Sequence, residues 1–174
     1  MHEGGGSMTA IRAIQLVGVL GIGLLTAMAC FNNLTDYGSN FAFVQHVLSM
    51  DTTFPDNALR WRAIQSPALH HLAYWLIIAP EGAAAILCLA GAWIMFRHRN
   101  DGTDDFHKAK TIALCGLTIA LALYLIGFMV VGAEWFAMWQ SPKWDGRQPA
   151  FRILASIGLV ALILLHRDDR TKAP

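Results

Sequence analysis

Glu81 and Glu134 are the residues whose type and setting point most directly to chemistry. Each lies in an apolar run: Glu81 directly after Pro80 within Leu72 to Phe96, and Glu134 near the end of Thr111 to Met138. A charged side chain at a bilayer centre costs on the order of 3 kcal/mol, so such an acid faces protein or water and has a partner. If the two runs are antiparallel helices, counting inward from His71 and Trp139 brings the carboxylates within about 5 to 10 Å of each other along the axis. That pair reads as a site for an ion, a proton or a small ligand. Tyr74 lies seven residues before Glu81 on the same helical face and is a third candidate. A purely structural pairing, Glu81 with Arg152 or with Tyr74, explains the acid equally simply.

Histidines offer a second constellation. His46, His70 and His71 can gather near Met50, Asp51 and Glu134 in a donor set that suits copper or zinc. Their spacing matches no metal-ligand pattern, and histidines at helix starts in the membrane interface need no metal. A haem held between two helices needs a histidine inside each of two facing spans. No span here has one, so no haem is expected, and no other cofactor is indicated. The cysteines Cys30, Cys88 and Cys115 fall within or at the ends of apolar runs without CxxC spacing, and read as small buried residues. No nucleophilic triad, phosphate loop or dinucleotide fingerprint occurs, so no catalytic residue is assigned. Asn33-Leu34-Thr35 fits a glycosylation pattern, which matters only in a eukaryotic secretory pathway and is discounted.

The elements that must position these residues are membrane spans. Of 174 residues 55% are hydrophobic and 14% charged, with a mean hydropathy of +0.43; a soluble domain carries about 25% charged residues. A net charge of +1 without a basic cluster excludes a nucleic-acid partner. The expected architecture is an all-α four-helix transmembrane bundle, one domain over residues 8–170, with spans at about 12–31, 67–96, 110–138 and 149–166. Residues 1–7 read as a polar leader and 171–174 as a tail. Gly18 and Gly21 suggest a close-packing face on the first span.

The long connection between the first two spans is expected to fold into short interfacial helices, one over Phe41 to Met50 and one over Asn57 to Gln65 capped by Asp56. Ser66 and Pro67 open the second span. Trp61, Trp75, Trp135, Trp139 and Trp144 are expected interfacial anchors. Eight Lys and Arg residues fall on the side of the termini and five on the other, which predicts cytoplasmic termini.

Three segments carry a resemblance: NNLTDYGSNFAFVQHVLSMDTTFP, AYWLIIAPEGAAA and VVGAEWFAMWQSPKWDGRQPAFR. With them the chain resembles, over roughly Met8 to Asp168, the bacterial predicted small integral membrane protein family, a domain of unknown function. The resemblance implies a four-span inner-membrane protein beginning near Met8, and it brings no catalytic residues. Two functions fit these readings. One is an accessory or interaction subunit of a membrane complex, with a membrane-protein partner or a second copy of the chain beside the lipid bilayer. The other is an ion-, proton- or small-ligand-handling protein using Glu81 and Glu134.

Overall fold

In the computed structural model, which describes residues 9–167, four helical stretches are long and apolar enough to cross a membrane. The leader, residues 1–7, and the tail, residues 171–174, lie outside the described residues. The first span is α1 (Ala10–Thr35), and α2 (Tyr37–Ser49) follows after a break at Asp36. The second span is α3 (Pro67–Arg97). A short α4 (Thr103–Ala109) leads into α5 (Thr111–Ala122), which continues as a wider π-helical stretch (Leu123–Trp135). The last span is α6 (Arg147–Leu165).

Glycine decides how closely the central helices approach. A Cβ on Gly91 of α3 would stand 2.5 Å from the Ala113 amide nitrogen of α5, and one on Gly116 would stand 2.7 Å from the Cys88 sulfur. Only hydrogen atoms fit there, so α3 and α5 touch backbone to backbone. On α1 the tight glycines are Gly23, against Leu89 of α3, and Gly18, against Val160 of α6. Gly21 meets nothing within 4 Å, so the expected Gly18/Gly21 face is replaced by two contacts with two different helices. Val19, Ile22, Ala84, Cys88, Ala113, Leu117 and Ile157 fill the core between these helices.

The end of the bundle that holds the start of α1 and the end of α6 is closed by two buried cations. The Arg12 guanidinium donates to the carbonyls of Arg99 and Asp101 at 2.9 and 2.7 Å. Lys110 Nζ donates to those of Leu164 and His166 at 3.0 and 2.8 Å. Helix C-termini leave carbonyls without intrahelical partners and carry partial negative charge, which these side chains answer. Phe106 lies between them, with both charges over its ring.

At the opposite, distal end the long connection folds over α3. Helix α2 stops at Met50, a buried residue in the left-handed region at φ 52. The expected helix over Asn57 to Gln65 does not form. Asn57 Oδ1 instead accepts from the Leu59 amide at 2.9 Å, an Asx turn that competes with helix, and only a 3-10 turn at Arg60–Arg62 follows. Pro67 opens α3 as expected, but Ser66 makes no side-chain capping bond. The third span ends at Trp135 rather than 138, because the chain reverses at Ala137 with φ 49.

Helix lengths set the level of everything else. The 26 residues of α1 rise about 39 Å, about 32 Å of it between Arg12 and Asn33, and the 19 residues of α6 rise about 28 Å, close to a hydrocarbon thickness of about 30 Å. The 31 residues of α3 rise about 46 Å. Thus α3 and the π stretch run on past the distal ends of α1 and α6, and α2 packs against that overhang through Val44, Tyr74 and Ile78.

Candidate ligand site around Glu81

Glu81 lies near the middle of its own helix and level with the distal end of α1. The residue is 3% exposed. Asn33 Nδ2 of α1 donates to Oε2 at 2.7 Å, and the Tyr124 hydroxyl, one residue into the π stretch, donates to Oε1 at 3.2 Å. Tyr74 completes the cluster through Asn33: its hydroxyl donates to the Asn33 carbonyl at 2.9 Å and lies 3.3 Å from Asn33 Oδ1. Three spans thus converge on one carboxylate. Among the described residues no Lys, Arg or His forms an ion pair with it.

A cleft of about 240 Å³ opens beside this cluster. Asn33, Asn40, Tyr74 and Tyr124 supply its polar wall, and Phe43 and Phe128 part of its apolar wall. Across Phe43, Val44, Ile77 and Phe128 lies a second, almost wholly apolar groove of about 260 Å³ between α2, α3 and the π stretch. The π geometry matters for that groove. Its i to i+5 pattern, seen where the Phe136 amide donates to the Val131 carbonyl at 3.0 Å, widens the helix along Gly127 and Gly132, which line the groove.

The remaining predicted residues lie elsewhere. Glu134 is exposed at the end of the π stretch, within electrostatic reach of Arg147, and does not meet Glu81. The counted register does not hold: Tyr124 is the residue level with Glu81, Glu134 lies further along the same stretch toward the distal end, and it is exposed while Glu81 is buried. Arg152 is bonded to Gln148 at 3.4 Å, not to Glu81. The three histidines are dispersed: His46 Nδ1 pairs with Asp51 at 2.7 Å and stacks on Trp144, buried His70 donates from Nε2 to the Ile64 carbonyl at 2.8 Å, and His71 shares a 2.8 Å hydrogen bond with the Tyr37 hydroxyl. Among the described residues no three His, Cys, Asp or Glu groups lie close enough to hold a metal ion.

The tryptophans cluster at the distal end. Trp61, 72% exposed, packs edge-on to Trp135, and Arg62 lies over both rings. Trp139 meets Phe54, while Trp75 is exposed on the α3 overhang beside Tyr37. Trp93, exposed and stacked on Phe96, gives the opposite end its own aromatic residue, one that sequence reasoning passed over. Asp145, in the turn before α6, is held below its ordinary pKa by the side-chain bonds from Arg147, at 2.9 Å from Nε and 2.8 Å from Nη2.

A profile of the family described as predicted small integral membrane protein matches residues 11–167. The chain belongs to that family. It is an integral membrane protein that resides in a lipid bilayer, and the family has no assigned function. No curated protein and no solved structure is similar to the chain at a comparable level.

Two members of the Glu81 cluster escaped sequence reasoning. Asn33 was visible only as part of a discounted glycosylation pattern. Tyr124 is the one tyrosine inside the apolar run Thr111 to Met138, and a hydroxyl at that depth needs a partner. Pairing it with the one acid of the facing span would have found the bond.

Proposed function

We propose that this protein handles a small ligand, an ion or a proton at the Glu81, Asn33, Tyr124 and Tyr74 cluster, from the distal side of the membrane. The observation that carries the reading is the position of the acid. Glu81 is buried without an ionic partner among the described residues, yet its two hydrogen-bond donors form the wall of an open cleft. A carboxylate needed only for packing gains nothing from such a location, because an apolar residue of similar volume costs less to bury. The charge count supports cytoplasmic termini, and with that orientation the cleft opens toward the outer side of an inner membrane. Glu134, exposed and apart, has no part in this site.

A second reading is that of an accessory subunit or homo-oligomer. It is favoured by α6, the least buried of the four spans, whose Phe151, Leu159 and Leu162 face outward. Native mass spectrometry after extraction in mild detergent separates the two. The ligand reading expects a small molecule retained by wild type and lost in Glu81→Gln at equal folding. A stoichiometric protein partner on a bare chain, unaffected by Glu81→Gln, assigns the protein to the second reading.

A further inference from the structure

We infer that the apolar groove between α2, α3 and the π stretch holds one acyl chain of an anionic phospholipid, and that Arg62 receives its headgroup phosphate. The groove, about 260 Å³, is walled by Phe43, Val47, Leu76 and Phe136, with Gly127 and Gly132 making room along the π stretch. It suits a flexible hydrocarbon chain and is far too small for a further helix, which is about 10 Å across with its side chains. Lipid has access to it, since Leu76 and Val131 among its lining residues are 62% and 42% exposed on spanning helices. No charged or hydrogen-bonding side chain is among its described lining residues, so nothing inside the groove answers a polar ligand. It begins at Leu123, next to the Tyr124 that bonds Glu81, and climbs the overhang to Phe136, so its occupant stands higher than the lipids beside α6.

The distal end of the groove decides the headgroup. Phe136 lines the groove, and the carbonyl of Trp135 beside it accepts a 3.2 Å hydrogen bond from Arg62 Nη1. The guanidinium carbon stands 4.6 Å from the centre of the Trp135 ring and 5.3 Å from that of Trp61, a cation held between the aromatic rings of a membrane interface. Its Nε is buried without a hydrogen-bond partner, whereas Nη2 makes no hydrogen bond among the described residues and keeps its N–H groups for a ligand. The acids of this end are paired elsewhere or stand apart. Asp51 pairs with His46 and Asp145 with Arg147, while neither Arg62 nor the exposed Arg60 forms an ion pair among the described residues, Glu134 included. Two guanidinium groups without acids beside an apolar slot complement a phosphate carried on an acyl chain, and they disfavour a headgroup that brings its own ammonium.

The test places the full chain in nanodiscs of phosphatidylglycerol and phosphatidylcholine in equal amounts, matched in acyl chains, and reads by native mass spectrometry which lipid stays on the released protein. Wild type is expected to keep one phospholipid, with phosphatidylglycerol enriched about fivefold over the bulk ratio. Arg60→Gln combined with Arg62→Gln keeps a lipid but loses the enrichment. Gly132→Leu loses the lipid itself: a Cβ there meets nothing closer than 3.5 Å, so the helix accepts a side chain that then fills the groove. Glu81→Gln, which leaves groove and Arg62 untouched, keeps the lipid, and so does wild type in excess inorganic phosphate. The inference is overturned if wild type keeps no lipid or keeps the two in bulk proportion, if the arginine variant is as selective as wild type, or if phosphate displaces the lipid. It is overturned equally by loss of the lipid in folded Glu81→Gln, which would place it in the cleft, and by a lipid-free dimer, which would make the occupant a second copy. The wild-type measurement needs no variant, so a misfolded mutant does not obscure the result.

Discussion

Tyr124 and Asn33 each give Glu81 one hydrogen bond, and removing either leaves a carboxylate oxygen buried without its donor. Hydrogen bonds to charged groups contribute about 1.5–3 kcal/mol, and an orphaned buried acceptor costs about 1–3 kcal/mol. Tyr124→Phe and Asn33→Ala should therefore each lower thermal stability in detergent by about 1–3 kcal/mol, with Tyr74→Phe smaller because it touches Glu81 only through Asn33. A double variant of Tyr124 and Asn33 that costs the plain sum of the two would show that the groups do not act on a shared carboxylate. Asp145 gives a pH prediction. Its folded pKa is lowered, so its bond with Arg147 contributes fully above its ordinary value of about 4 and is lost as pH falls through the lowered one. Protection from hydrogen exchange at the start of α6, corrected for the intrinsic pH dependence of exchange, should fall on acidification in wild type, and Asp145→Asn should show that lower protection already at neutral pH. At this scale the sequence was half legible. A lone acid in an apolar run announces itself, but its partners are a side chain from a helix end and a tyrosine from another span, and nothing local to Glu81 encodes either.

Helices were easier to read than the contacts between them. Apolar runs bounded by charge locate four spans, because an isolated helix is the simplest way to satisfy backbone groups in lipid. Their faces were less legible, since lipid-facing and bundle-facing residues are equally apolar; Leu76 is exposed and Ile78 buried on the same α3. Glycine carries the packing information, but only structure separates Gly91 and Gly116 from Gly21. Gly91→Ala should drive α3 and α5 apart and cost about 1–3 kcal/mol, while Gly21→Ala should be neutral or slightly stabilising through helix propensity. Thermal melting of the two variants checks this, and equal losses would remove the close-approach argument. The π stretch was invisible in sequence because its composition is that of any apolar helix.

For the molecule as a whole, the proposed orientation is one that labelling can check. With both termini cytoplasmic, a cysteine at Ser39 should react with an impermeant maleimide added outside intact cells, and one at Asp104 only after lysis; the reverse pattern inverts the topology. The unequal lengths of the spans have a separate result. Lipids beside α6 meet about 28 Å of helix and those beside α1 about 39 Å, whereas those beside α3 meet about 46 Å, its distal turns still lined by exposed Leu72 and Leu76. A bilayer adapts to such mismatch by thinning, thickening or tilting, at fractions of a kcal/mol per Å. The chain therefore imposes a step on the membrane around it, thin on one flank and thick on the other, and short-chain and long-chain phospholipids should sort to opposite sides of a single small protein.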